Sequence, residues 1–213
     1  MSPAGPTTPY AGRPTGGIVL CGGASRRMGR PKAWLDCAGE AMLVRVVRLL
    51  ARVVDPVVVA ARPGQRLPAL PAHVSVVYDP VQGVGPLAGV AAGLTGLCTQ
   101  CEYAVVTSCD APLLRPAFVQ RLIALIDGAP AVVVRVGGRV QPVPGVYAVA
   151  LRGLASSMLD EPARSLTRFA LRAGARVVPS DVLTSVDPGL ESLADVDDPD
   201  AYASVIERVV ENP

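Results

Sequence analysis

Six short, valine-rich apolar runs, at residues 17–21, 56–61, 74–78, 103–108, 131–136 and 143–149, alternate with stretches of helical periodicity. Runs of this length without polar interruption suit strands buried on both faces. Between them, residues 41–53 set Leu43, Val46, Val47 and Leu50 on one helical face with Arg45, Arg48 and Arg52 elsewhere. Residues 116–127 repeat the pattern before Gly128, and residues 87–97 read as a helix of small side chains. Strand then helix, repeated, predicts right-handed βαβ units. The fold class is α/β: one domain with a mostly parallel, Rossmann-like sheet flanked by helices in three layers. Ligands of such sheets bind at the carboxyl ends of the strands.

At 213 residues, half of them apolar, the chain has the material for a single core. A net charge of +2, with basic residues not interleaved with aromatics, gives no electrostatic footprint for nucleic acid. Residues 1–15 carry Pro3, Pro6, Pro9 and Pro14 among glycine, serine and threonine. They lack the charged start and apolar run of a signal peptide or membrane span and are expected to be a disordered tail before a domain at 16–210. Five cysteines without a regular framework point to a reducing, cytoplasmic setting. Cys98 and Cys101 form one CxxC pair, too little for a zinc site without further ligands, while Cys21, Cys37 and Cys109 read as small apolar fillers. His73 is the one histidine, expected at the surface, which removes histidine-based nucleophilic catalysis from consideration.

Chemistry concentrates where the first strand ends. Residues 20–32 read LCGGASRRMGRPK, and Lys32 is the one lysine in a chain with nineteen arginines. Gly22 and Gly23 let the backbone approach a ligand and offer amides to phosphate, while Arg27 and Lys32 bring charge. A lysine supplies a compact point charge where arginine would supply a planar fork. The loop reads as a polyphosphate cradle. It is not a P-loop, because five residues separate Gly23 from Gly29 and Lys32 lies three beyond, and the GxGxxG spacing of dinucleotide folds is also absent.

Two further segments leave strands with acids. Asp110, in the run TSCDAP, either holds Mg²⁺ together with phosphate oxygens or serves locally, as an Asx turn before Pro112 or a cap for the helix near Pro116. Asp79 opens the run DPVQGVGPLAG, whose Gly85, Pro86, Leu87 and Gly89 make a turn into a helix. The amides there suit the edge of a base, although taken alone the segment is ordinary loop punctuation.

Together the three segments resemble the molybdenum cofactor guanylyltransferases, the MobA-like nucleotidyltransferase family, whose hallmarks are LxGGxSxRMGxxK, a strand-ending Asp before GPLxG, and CDxP. The likeness runs over about residues 16–205 and implies a GT-A-like nucleotidyltransferase fold. It implies attack of the molybdopterin phosphate on the α-phosphorus of GTP, with release of pyrophosphate and formation of a guanine dinucleotide cofactor. It further implies catalytic roles for Arg27, Lys32 and Asp110, Mg²⁺ on Asp110, and GTP contacts from Leu20, Cys21, Gly22, Gly23, Lys32, Asp79, Gly85, Pro86, Leu87, Gly89 and Asp110. GTP is favoured over CTP by the GPLAG turn. Molybdopterin-handling proteins are the expected protein partners, with no nucleic acid and no membrane.

Toward the carboxyl end the pattern departs. Gln141-Pro142 stands where the family often has His-Pro, Ala60 where an asparagine often ends the strand, and residues 195–200, DVDDPD, where it has NxNTPE. Asp197 or Asp195 supplies a second Mg²⁺ ligand, or the segment is the acidic start of a helix. Arg164 and Arg168 are candidates to meet the pterin phosphate. These departures leave two alternatives, a related nucleotidyltransferase using CTP or a sugar phosphate, and a noncatalytic GTP-binding cofactor carrier.

Overall fold

The computed structural model describes residues 14–23, 28–79, 81, 83 and 85–211. Its strands are β1 (Thr15–Leu20), β2 (Asp36–Cys37), β3 (Glu40–Ala41), β4 (Val57–Ala61), β5 (Ser75–Tyr78), β6 (Tyr103–Ser108), β7 (Ala131–Val136), β8 (Arg139–Ala148) and β9 (Arg176–Pro179). Its helices are α1 (Met42–Ala51), α2 (Pro86–Gly96), α3 (Pro116–Ala124), α4 (Arg152–Ser157), α5 (Leu166–Arg172) and α6 (Pro199–Glu211). Seven strands form one sheet in the order β5-β4-β1-β6-β8-β7-β9. β1 lies between β4 and β6, parallel to both, so its carboxyl end opens at the middle of the sheet. There the chain turns into the glycine loop.

β8 runs antiparallel to both neighbours. The cause is local: only Gly137 and Gly138, with φ of 52° and 81°, separate it from β7, a two-residue turn that reverses the chain. β8 starts earlier than the apolar run suggests, at Arg139 rather than residue 143. Pro142 and Pro144 break the ladder pattern, and an irregularity between Val132 and Val134 accommodates them. β9 and the β2–β3 hairpin were not expected, since four residues and two residues are too short to show a period. β1 begins at Thr15, and residues 1–13 lie outside the described residues.

The sheet separates two apolar layers. α1 and α3 press Leu43, Val46, Leu50, Phe118 and Leu122 against one face, and α2, α4 and α5 press Leu87, Leu94, Ala155 and Phe169 against the other. Truncating one of these fully buried side chains, such as Leu50, costs about 2–5 kcal/mol. α6 makes a third, smaller cluster, in which Val205 and Val209 meet Met28, Leu35 and Cys37 just beyond the glycine loop.

One arginine sits where the helical pattern did not put it. Arg45 is not on a solvated face but buried at 4 % exposure. Its Nε donates to the Pro112 carbonyl at 2.9 Å, and its Nη1 lies 3.6 Å from Glu40. It thereby ties α1 to the turn that carries Asp110. Among the described residues no helix is long and apolar enough to cross a membrane.

Candidate active site

Two cavities meet at the carboxyl ends of β1, β4 and β6, sharing Leu20, Gly23, Arg62 and Ser108. The larger, of about 1040 Å³, is lined by Cys21, Lys32, Cys109, Asp110 and Asp197, and also by Trp34, Arg62, Gln65 and Arg66. The second, of about 730 Å³, is lined by Gly22, Asp79, Gly85, Pro86 and Gly89, and beyond them by Gln141, Thr167 and Asp195. Residues far apart in the chain thus converge on one edge of the sheet.

Lys32 is the hub. Its Nζ donates to Asp110 Oδ2 at 2.5 Å and to Asp197 Oδ1 at 2.8 Å. Burial pulls the ammonium's pKa down, but its hydrogen bonds to Asp110 and then Asp197 outweigh that, holding it above the ordinary value. Asp110 also accepts from the Ser108 hydroxyl. The local readings of Asp110 do not hold: α3 begins after Arg115 without a side-chain cap, and the Asp110 carboxylate faces the cavity.

Asp197 reaches Lys32 because the carboxyl-terminal segment is tied down at three places. Asp187, fully buried, accepts from the amides of Glu191 and Ser192 at 3.0 and 2.8 Å and lies 3.3 Å from Arg115 Nε. Ser192 Oγ accepts from the Arg115 amide at 3.0 Å. The Val196 amide then donates to the Asp110 carbonyl at 2.9 Å, which sets Asp195 and Asp197 on either side of it. The acids of this segment divide between the helix start and the Lys32 ammonium. Asp198 Oδ1 accepts from the Ala201 amide at 2.9 Å and caps α6, while Asp197 faces the cation. Asp195 keeps solvent contact at the rim, yet enclosure by the cavity wall, then the Asp110 and Asp197 charges, push its carboxyl up to about 7 against the opposing Lys32.

In the second cavity, Asp79 Oδ1 is buried and has no hydrogen-bond partner. Desolvation raises its pKa, against the pull of Arg62. Two glycines make room for this carboxylate. A Cβ on Gly22 would stand 3.0 Å from Asp79 Oδ2, and one on Gly89 would stand 3.3 Å from Oδ1 and 3.0 Å from Leu20. A buried acceptor without a donor, on a residue that lines a cavity, asks for a ligand that brings one.

Most of the sequence-derived candidates gather here: Leu20, Cys21, Gly22, Gly23, Lys32, Asp79, Gly85, Pro86, Gly89, Asp110 and Asp197 all line a cavity. Leu87 does not, because its side chain is 1 % exposed in the core. Arg27 lies outside the described residues. Arg164 and Arg168 are turned to their own neighbourhood, with Arg164 Nη1 donating to the Glu161 carbonyl, Arg168 Nη1 to the Ala163 carbonyl, and Arg168 Nη2 lying 3.6 Å from the Glu161 carboxylate. Sequence reading missed Ser108, Arg62, Gln65, Trp34 and Thr167. Arg62 and Ser108 stand at or just past strand ends at the ligand edge, a signal that was available; Trp34 and Thr167 carry none. Among the described residues no group of three or more His, Cys, Asp or Glu side chains gathers as a metal cluster.

A mostly parallel sheet with a glycine loop at its central carboxyl edge, a lysine bracketed by two acids and an adjoining cavity defines an α/β protein built to handle a nucleotide. The MobA-like NTP transferase domain model matches residues 17–177, and the chain belongs to that family. It is a nucleotidyltransferase. A probable molybdenum cofactor guanylyltransferase of Bacillus cytotoxicus is 31% identical over 170 residues, covering 78% of this chain and 84% of the relative. One of the same name from Mycobacterium avium is 43% identical over 112 residues, 51% of this chain and 56% of the relative. Among solved structures, the molybdopterin-guanine dinucleotide biosynthesis protein A of Archaeoglobus fulgidus superposes with a TM-score of 0.76 at 21% identity, over 92% of this chain and 99% of that one. The 2-C-methyl-D-erythritol 4-phosphate cytidylyltransferase of Thermus thermophilus shares the fold at 0.68 and 18% identity, over 91% and 98%.

Proposed function

We propose that the protein transfers GMP from GTP to the phosphate of molybdopterin, releasing pyrophosphate and forming the guanine dinucleotide form of the molybdenum cofactor. The observation that carries this reading is the Lys32 ammonium held between Asp110 and Asp197 beside a cavity lined by Asp79, whose buried Oδ1 has no hydrogen-bond partner. Guanine presents two neighbouring donors, its ring N1–H and its 2-amino group, which suit an orphaned carboxylate; cytosine presents one exocyclic amine. The names of the curated relatives support the same substrates.

Asp110 and Asp197, which both meet the Lys32 ammonium, are hard oxygen donors of the kind that would hold Mg²⁺, an ion that takes one or two protein carboxylates and completes its shell with phosphate and water. Bound there, Mg²⁺ would supply charge neutralisation for the phosphates. Lys32, kept cationic by its carboxylates, neutralises the departing pyrophosphate, and Arg27 does the same by resemblance. Gly22 and Gly23 let the backbone close on the nucleotide, and the turn from Gly85 to Gly89 covers the base. No protein nucleophile is required, because the acceptor brings its own phosphate oxygen and the enzyme's task is positioning. The five free cysteines support a reducing, cytoplasmic setting for this chemistry.

The test is pyrophosphate release with GTP, CTP, ATP and UTP, each with and without molybdopterin and Mg²⁺, in wild type and Asp110→Ala. Release that needs GTP, molybdopterin and Mg²⁺ together and is lost in the variant is the expected result. Turnover with CTP instead, or GTP binding without turnover, would overturn it.

A further inference from the structure

Cys21 and Cys109 are the residues that follow the last paired positions of two adjacent strands. Leu20 and Ser108 are partners in the parallel β1–β6 ladder, and the Cys109 amide donates to the Leu20 carbonyl at 2.9 Å. The two cysteines therefore stand opposite each other, with both side chains on the α1 side of the sheet. Each thiol also shifts the other's pKa, lowering that of Cys21 and raising that of Cys109. Neighbouring strands lie about 4.8 Å apart, within the roughly 4.4–6.8 Å between Cα atoms that a disulfide spans. Both cysteines line the larger cavity, so a small oxidant can reach them although they are only 3% and 7% exposed. The other cysteines lack this arrangement: Cys37 is fully buried in a separate cluster, and Cys98 and Cys101 stand near the opposite edge of the sheet, after α2 and before β6.

We propose that Cys21 and Cys109 are a reversible oxidation site, and that the disulfide between them switches off nucleotidyl transfer. With hydrogen peroxide as oxidant, one sulfur attacks a peroxide oxygen, the O–O bond breaks, and the departing hydroxide takes up the thiol proton as water. The sulfenic acid so formed is attacked by the second sulfur, the S–O bond breaks, and a second water leaves. Two thiols and one peroxide give one disulfide and two waters, with two electrons passing from sulfur to oxygen.

The link acts where the site is least tolerant. Cys21 is followed by Gly22, packed against Asp79, and Cys109 by Asp110, which holds Lys32. Drawing the sulfurs together also breaks the contact from Gln65 Nε2 to Cys21 Sγ at 3.4 Å, and with it part of the tether between β1 and the segment after β4. The glycine loop and the Asp110 turn are then pinned to each other rather than free to settle around a triphosphate.

The experiment treats the whole protein with hydrogen peroxide, alkylates the remaining thiols, and identifies joined peptides by mass. The transfer rate is measured before treatment, after it, and after dithiothreitol. A Cys21–Cys109 linked peptide with the other three thiols alkylated, loss of most of the rate, and recovery with dithiothreitol is the expected result. Cys109→Ser and Cys21→Ser, each compared with its own untreated rate, should form no link and show no rate that dithiothreitol restores. A Cys98–Cys101 link, five thiols still free after peroxide, or a Cys21–Cys109 link without change in rate would overturn the proposal. The mass readout holds whichever nucleotide the enzyme uses, so it fails or stands separately from the assignment of GTP.

Discussion

A single ammonium group decides most of the electrostatics of the site. Without Lys32, Asp110 and Asp197 would face one another uncompensated, and the triphosphate would lose its compact counter-charge. Lys32→Gln should therefore lower kcat/KM for transfer by about 10²–10³, the cost of one lost transition-state donor. Lys32→Arg should restore only part of this, since a planar fork cannot take the same two-carboxylate seat; steady-state rates for the two variants check both points. Asp79 makes the opposite trade. Its carboxyl titrates above the usual range because burial disfavours the charge, so the folded state holds its proton more tightly than the unfolded chain. Its contribution to stability is fully present below about pH 3.9 and is lost as pH rises through the raised folded value. Asp79→Asn should accordingly match wild type in Tm near pH 4 and exceed it at pH 7, while binding nucleotide more weakly. Thermal melts across that range, paired with GTP titration, test it; a variant less stable than wild type at pH 7 would contradict the burial argument.

At the scale of elements, the site depends on a segment that has little regular structure of its own. The stretch between β9 and α6 holds its course because Asp187, Ser192 and Arg115 clamp it to the start of α3 and because Val196 pairs with Asp110. Asp187→Ala leaves two amides without their buried acceptor, while Arg115, half-exposed, keeps Glu191; it should cost about 1–3 kcal/mol, read from the urea midpoint at unchanged m. Because the same change releases Asp197 from its seat, the rate should fall even at temperatures where the variant is folded. α6 acts from the other side. Arg30 lies over the Tyr202 ring at 5.6 Å, and Tyr202 Oη donates to the Asp36 carbonyl at 2.6 Å, bracing the chain on both sides of Lys32. A helix so far along the sequence therefore supports the exit of the glycine loop.

For the molecule as a whole, ligand binding to the folded form alone should appear as stability. GTP with Mg²⁺ at about 100 times its Kd adds roughly 2.7 kcal/mol, which for a chain of this size raises Tm by about 5–11 °C. CTP at the same concentration should raise it less, and Asp110→Ala should remove most of the Mg²⁺-dependent part. How much of this was written in the chain differs by feature. The parallel half of the sheet was legible, because β1, β4 and β6 are mostly apolar runs buried in its middle, which need no other code, while the edge strand β5 still shows its valines. The three strand-end motifs were legible as well, because a glycine loop, an acid and a turn must follow strands directly to reach a ligand at the sheet edge. Arg45 was not, since helical periodicity marks which face a residue occupies but not that a partner such as Glu40 or the Pro112 carbonyl waits there. The separate parts played by Asp197 at Lys32 and Asp198 at the helix cap were also decided in three dimensions. Sequence determined the longer elements and the residue types at their ends, because those follow from local burial and backbone chemistry. Tertiary structure alone decided which acid meets Lys32 and that two cysteines 88 positions apart stand side by side, because contacts across the sheet depend on strand order and no local rule carries that information.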